Sequence, residues 1–195
     1  MTEEIIISGF GGQGVLLAGK LLCVAAMRQG LHVSHIPSYG AEMRGGTANC
    51  SVVLSTESIA SPVIEHPSIV IAFNGPSVTK FEPRIRAGGI LLWNSSLVKN
   101  PPARENIQLI DIPATDISLE EGTERGANMV AIGGLLALKP FLVSKEAVIN
   151  ALDEVVSARN RRYNPQNERI LQKGFDLMEK RRVREDSKKA APQDG

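Results

Sequence analysis

The sequence predicts one α/β domain built on a Rossmann-like, doubly wound and largely parallel sheet, with helices gathered at its C-terminal end. Three observations carry that expectation. A β-branched run, Ile5, Ile6 and Ile7, stops at glycines and is followed at once by an apolar helical pattern over residues 15–29, closed by Gly30. Short β-branched or apolar runs recur at 32–36, 47–54, 69–73, 90–93 and 107–112, with a helical crossover predicted over 77–86. Beyond the last run the pattern turns helical. At 195 residues the chain is long enough for one sizeable core and short for two, so the expected domain spans residues 1–179.

The elements follow from local chemistry. Pro37 predicts the end of the strand at 32–36, and a polar, glycine-containing loop is expected over 38–46. Pro101 and Pro102 break the chain before the run at 107–112. Asn128 is a candidate N-cap for a helix reaching Leu142, and Ser144 for a second, because a short oxygen-bearing side chain satisfies unpaired amides. Asn164-Pro165 opens a third over about 166–179. Gly133-Gly134 permits close approach within the apolar stretch 129–143, which reads as buried in the core or against a partner. From Lys180 the chain is rich in Lys and Arg with few apolar partners, so residues 180–195 are expected to fray into a disordered, charged tail.

Composition closes off several functions. Hydrophobic residues make up 43% and charged residues 22%, as in folded globular proteins. A net charge of +1 and an aromatic content of 4% leave little to attract or stack nucleic acid. The start Met1-Thr2-Glu3-Glu4 lacks the basic opening of an export signal, and the stretch 129–143 contains Lys139 and Pro140 and is too short to span a bilayer, so a cytoplasmic protein with no membrane contact is expected. Cys23 and Cys50, the two cysteines, stand in apolar surroundings without a CxxC partner and read as reduced, buried thiols. A Cys-ligated iron–sulfur cluster takes four thiolates, so any cluster belongs to another chain. His32, His35 and His66 show no metal-ligand spacing, and no G-x-S-x-G elbow is present, so neither a metal site nor a catalytic residue is expected.

The segment Gly9-Phe10-Gly11-Gly12-Gln13-Gly14 has G-x-G-x-x-G spacing directly between a strand and a helix. Glycines allow positive φ and let amides approach a phosphate, while the following helix presents its positive end. The same glycines also serve tight strand–helix packing. A dinucleotide fingerprint needs a carboxylate at the end of the second strand, where Ser34, His35, Ile36 and Ser38 stand instead. The Lys-Ser/Thr ending of a nucleotide-hydrolysing loop is absent too, since Val15 and Leu16 follow Gly14.

The second distinctive segment runs from Ser38 to Cys50. In a doubly wound sheet it lies at the same edge as the glycine turn, giving a cleft two walls. Arg44 offers charge-assisted bonds to phosphate, Met43 a soft apolar contact, and Gly45-Gly46 close backbone approach, unless Arg44 merely pairs with Glu42 at the surface.

The glycine turn with Val15, taken together with Pro37-Ser38-Tyr39-Gly40-Ala41-Glu42-Met43-Arg44-Gly45-Gly46-Thr47-Ala48-Asn49-Cys50, resembles the gamma subunit of 2-oxoacid:ferredoxin oxidoreductases. The Glu-Met-Arg-Gly-Gly-Thr-Ala-Asn variant is most similar to the 2-oxoglutarate enzymes, and the resemblance continues through Gly126-Ala127-Asn128-Met129, covering about residues 4–178. It implies a complex that oxidatively decarboxylates a 2-oxoacid on thiamine diphosphate, reduces ferredoxin through iron–sulfur clusters and transfers the acyl group to coenzyme A. Thiamine diphosphate, Mg and the clusters are then expected on alpha and beta subunits, with a ferredoxin-like delta subunit as a further candidate partner. Coenzyme A is the ligand implied for this chain, and Gly9, Gly11, Gly12, Gln13, Gly14, Ser38, Met43, Arg44, Gly45, Gly46 and Asn128 are the candidate binding residues. Two alternatives stay open: an assembly subunit without ligand, and a nicotinamide-dependent dehydrogenase.

The purified chain is therefore expected to be colourless, free of stoichiometric iron and thiamine diphosphate, and inactive on 2-oxoacids alone. Metal analysis with an oxidation assay checks this. Four irons per chain, or turnover without partners, would contradict it.

Overall fold

The computed structural model describes residues 1–39, 47–100 and 103–190, with the backbone alone for Tyr39 and residues 185–190. Its sheet has six strands: β1 (Thr2–Phe10), β2 (His32–Tyr39), β3 (Thr47–Ser55), β4 (Ile69–Ala72), β5 (Ile90–Asn94) and β6 (Gln108–Ile112), in the order β2-β3-β1-β4-β5-β6. The pairings β1–β4, β4–β5 and β5–β6 are parallel, and β1–β3 and β2–β3 are antiparallel. The sheet is thus mostly parallel, as expected, with one antiparallel strand that spacing along the chain did not reveal. Pro37 does not end β2, which pairs through Tyr39. The physical reason is position, because β2 is an edge strand, where a missing N–H need break no ladder bond.

Alternate side chains of each strand enter two cores. Ile5, Ile7, Ile69, Ile71, Ile90 and Leu92 face α1 (Val15–Arg28) and the C-terminal helices. Ile6, Val70, Leu91 and Trp93 face the short α2 (Gly75–Phe81) and neighbouring loops. The C-terminal helices are α3 (Ala114–Glu120), which the sequence reading missed, α4 (Ala127–Leu138), α5 (Lys145–Val155) and α6 (Asn164–Ala190), with a 3-10 turn at Ala158–Tyr163. Ser144 caps α5 by accepting from the Ala147 amide at 3.1 Å. The last helix continues past Glu179 into the segment expected to fray, where Arg181 fastens it to β6 through the Asp111 carboxylate at 2.9 Å. Among the described residues no helix is long and apolar enough to cross a membrane.

The stretch expected to be buried over 129–143 is core through Ala137; α4 ends at Leu138, short of the expected Leu142, because Pro140 lacks the N–H a helix needs, and Pro140 and Phe141 are exposed, Phe141 at 89%, before Leu142 and Val143 return to the core. Every residue of α4 from Ala127 to Ala137 is buried within this chain, without calling on a partner. Its closest neighbour is α6, and glycines make that approach possible. A Cβ on Gly133 would sit 2.9 Å from the Phe175 amide nitrogen and overlap the Leu171 carbonyl, and one on Gly174 would overlap the Val130 backbone. At the far end of α4, Lys139 pairs with the mostly buried Glu3 of β1 at 3.0 Å.

Both thiols are buried and burial pushes each up to about 12, so no thiolate is present at neutral pH. Cys50 Sγ donates to the Val15 carbonyl at 3.5 Å, and a Cβ on Gly19 would meet both Cys50 Sγ and His35 Nε2. His35 Nε2 is buried without a partner, and burial, then the Lys20 charge, hold this imidazole below its ordinary 6.5.

Gly174→Ala should destabilise by about 1–3 kcal/mol or more, since an overpacked helix contact must be prised apart. Gly75→Ala, with nothing within 4 Å of the new atom, should stay within about 0.5 kcal/mol by denaturant titration. Because the unfolded chain binds the His35 proton more readily than the folded one, the stability His35 confers is present above pH 6.5 and is lost as pH falls below it. Denaturation midpoints at pH 7.5 and 5.5 should differ less in His35→Gln than in the parent; equal differences would exclude His35 as the source.

Candidate functional site

The glycine turn closes β1 onto α1 and is held by its own side chain. Phe10 donates its amide to Gln13 Oε1 at 2.7 Å, and the Gln13 amide returns to the Phe10 carbonyl at 3.1 Å. Asn74 Nδ2 donates to the same Gln13 Oε1 at 3.4 Å, joining this turn to the start of α2. β1 and β4 are the adjacent strands from which the chain departs in opposite directions, so Gln13 and Asn74 bridge the switch point of the sheet. Gln13 thus spends its carbonyl oxygen on shaping the turn.

The glycines divide by what surrounds them. A Cβ on Gly9 would lie 2.6 Å from Gln13 Oε1 and 3.1 Å from Phe73 Cβ, so Gly9 serves close packing. Gly14 has φ 73° and its Cβ would lie 2.7 Å from Asn128 Cγ, so it serves both conformation and contact. Gly12 has φ 100° with open space around it. The fold accounts for Gly9 and Gly14; it leaves room at Gly12.

Asn128 is not the cap of α4. Gly126 holds that position, and Asn128, the second residue of the helix and 2% exposed, donates Nδ2 to the Gly14 carbonyl at 3.3 Å. That bond ties the N-terminus of α4 to that of α1. Neither helix has a side-chain cap, so two positive helix ends converge. Asn128 Oδ1 is buried with no partner, an arrangement that costs about 1–3 kcal/mol until a donor reaches it.

A cavity of about 470 Å³ opens here, lined by Gly12, Gly14 and Asn128, by the α3–α4 turn with Thr123 and Arg125, and by the corner between the 3-10 turn and α6 with Asn160, Tyr163, Gln166 and Asn167. Ser118 shapes the α3–α4 turn by accepting from the Gly126 amide at 2.8 Å and donating to the Thr123 carbonyl. Gln166 ties α6 to the same turn through the Glu121 carbonyl at 2.7 Å. Sequence reasoning found the glycine side of this cavity and Asn128, and missed the other wall, whose residues come from three separate elements and share no motif.

Of the remaining candidates, Gly11 lies in the turn but outside the cavity lining. Ser38 stands on β2 opposite Asn49, itself opposite Ser8, two strands from the turn. Met43, Arg44, Gly45 and Gly46 lie outside the described residues. The ends that flank their segment are at the expected edge, since Thr47 pairs with Phe10 at the end of β1 and Ala48 pairs with Tyr39 at the end of β2. Among the described residues no three His, Cys, Asp or Glu side chains gather where they could hold a metal.

Comparison with known proteins bears on the family and the fold. The family model for pyruvate ferredoxin/flavodoxin oxidoreductase matches residues 4–177. Ketoisovalerate oxidoreductase subunit VorA of Methanothermobacter marburgensis is 38% identical over 177 residues, covering 91% of this chain, which spans only 37% of that longer relative. The gamma subunit of a keto/oxoacid ferredoxin oxidoreductase from Geobacter sulfurreducens superposes with a TM-score of 0.77 at 31% identity, covering 90% of this chain and 98% of that one. The 2-oxoglutarate:ferredoxin oxidoreductase of Magnetococcus marinus, solved with 2-oxoglutarate, coenzyme A and succinyl-CoA bound, gives a TM-score of 0.83 at 25% identity over 92% of this chain and 31% of that one. On the family match and the near full-length likeness to a gamma subunit, this chain belongs to the pyruvate ferredoxin/flavodoxin oxidoreductase family as one of its gamma-type subunits.

Proposed function

We propose that this chain holds coenzyme A as a substrate for acyl transfer within a 2-oxoacid:ferredoxin oxidoreductase complex, and that it contributes positioning with no acid, base or nucleophile. The observation that carries the reading is Gly12, whose left-handed backbone faces open space at the mouth of a cavity where two uncapped helix ends meet. Amides around Gly11 and Gly12 take a phosphate, and the resemblance to gamma subunits adds Arg44 as the expected source of a charge-assisted contact. Holding a thiol donor beside its acceptor turns an encounter between molecules into an intramolecular step. The bound coenzyme A of the Magnetococcus enzyme supports the ligand assignment. Ketoisovalerate and 2-oxoglutarate both appear among the relatives, so the substrate is taken as a 2-oxoacid, with 2-oxoglutarate the expectation from the loop sequence. Alpha and beta subunits, with a delta-type subunit and ferredoxin, supply thiamine diphosphate, Mg and the clusters in a cytoplasmic assembly.

The assembly-subunit alternative draws on Gly9 and Gly14, both explained by contacts inside the chain. Gly12 is what it leaves unexplained. Against a nicotinamide dehydrogenase, β3 separates β2 from β1, so the end of the second strand is not beside the glycine turn where a ribose-binding carboxylate is needed.

In the assembled complex, Arg44→Ala should raise the Michaelis constant for coenzyme A by roughly tenfold to a hundredfold, the cost of one charge-assisted bond at about 1.5–3 kcal/mol. Gly12→Val, strained at φ 100° and intruding on the phosphate, should act in the same direction. Single-turnover reduction of the clusters by 2-oxoacid without coenzyme A should survive in both. An unchanged Michaelis constant in both assembled variants would put the assembly-subunit reading in place of this one.

A further inference from the structure

Among the described residues that line the cavity, Arg125 is the one charged side chain, and no carboxylate stands with it. Glu121, at the start of the α3–α4 turn, is engaged from α6 by Lys173 at 3.5 Å and Arg169 at 3.8 Å. The Arg125 guanidinium makes no ion pair or hydrogen bond among the described residues, whereas its backbone is held in place. Its amide donates to Thr123 Oγ1 at 3.2 Å, and the next amide, that of Gly126, donates to Ser118 Oγ at 2.8 Å.

That placement runs against helix electrostatics. Gly126 caps α4, so Arg125 is the residue just before the cap, at the positive end of the helix, where a cation is unfavourable. The N-terminus of α1 meets the same cavity and adds to the positive field. No contact within the described chain offsets an arginine held there, and a local rule broken without a gain inside the fold points to function. An anion in the cavity gains from Arg125 and from both helix ends together. Gln166 and Asn167 each spend one N–H on the protein and keep a second as a further donor on the same lining.

Coenzyme A carries two separate phosphate groups, a diphosphate and a ribose 3′-phosphate. The diphosphate is a bridge inside the molecule, esterified on both sides, and suits the row of backbone amides at the glycine turn. The 3′-phosphate is a terminal monoester with about two negative charges at neutral pH, and its free oxygens match the fork of a guanidinium. We infer, resting on the coenzyme A reading, that Arg125 binds the 3′-phosphate at the α3–α4 turn while the diphosphate lies on the glycine turn. Arg125 is then the residue by which this chain tells coenzyme A from adenosine diphosphate compounds that lack the 3′-phosphate. Leu17, Val156 and the ring of Tyr163 line the same cavity and suit the adenosine that joins the two phosphate groups.

The test is calorimetric titration of the full chain with coenzyme A and with 3′-dephospho-coenzyme A, which differ by that phosphate alone, in the parent and in Arg125→Gln. The parent should bind coenzyme A at least about tenfold more tightly than the dephospho form. In Arg125→Gln, coenzyme A should weaken by roughly tenfold to a hundredfold, the range of one charge-assisted bond, and the dephospho form by less than about threefold. The unfolding midpoint of the free variant should equal or exceed the parent's, since the guanidinium holds nothing in the described chain and stands at the unfavourable end of α4. A lowered midpoint would make Arg125 a prop of the turn and overturn the inference. So would a parent that binds both ligands alike, or a substitution that weakens both by the same factor or neither, outcomes that leave the coenzyme A reading standing. A parent chain that binds neither ligand would overturn that reading and this inference together.

Discussion

The burial of α4 from Ala127 to Ala137 on all its sides is the constraint on which the rest of the structure depends. A helix apolar all round has no solvent face, so each of its neighbours is fixed by contact. Gly133 and Gly174 let α6 come close enough to cover it, the Glu3–Lys139 pair fixes its C-terminal end to the first strand, and Asn128 fixes its N-terminal end to the glycine turn. The cavity exists because that last bond brings two helix N-termini together while α6 and the α3–α4 turn, joined through Gln166, close the far side. Packing and the shape of the cavity are therefore one problem in this fold.

Much of this was legible in the sequence where one residue type has one physical use. The strand–turn–helix around Gly9 to Gly14, the Ser144 cap and the buried run from 129 as far as Ala137 all stand in the structure, because glycine conformation, capping and apolar density are local signals. Gly133 was singled out and is a contact glycine, while its partner Gly174 was not, since it lies in a polar stretch whose meaning depends on Val130 across the helix pair. Asn128 read as a cap from its type alone. Only the tertiary position of the Gly14 carbonyl shows that its side chain serves another helix.

The topology was harder to see. A hairpin of β2 and β3 and a parallel βα unit place a following loop at the same edge of the sheet, so the expectation that the Ser38–Cys50 segment and the glycine turn share an edge did not depend on which was present. The second wall of the cavity, from the 3-10 turn and α6, gave no signal because Asn, Gln and Tyr at those positions are ordinary surface residues until the chain brings them together. Family membership then supplies a context that geometry alone does not. In a gamma-type subunit whose two thiols are buried and protonated, the role proposed for the cavity is to hold a substrate of the complex.

The most direct test of that role is an amide nitrogen–proton correlation spectrum of the chain titrated with coenzyme A. The account predicts saturable shifts at the backbone amides of Gly11, Gly12 and Gly14 and at the side-chain amide of Asn128, with the amides of β6 unmoved. Saturating coenzyme A that leaves the glycine turn and Asn128 unshifted would contradict it.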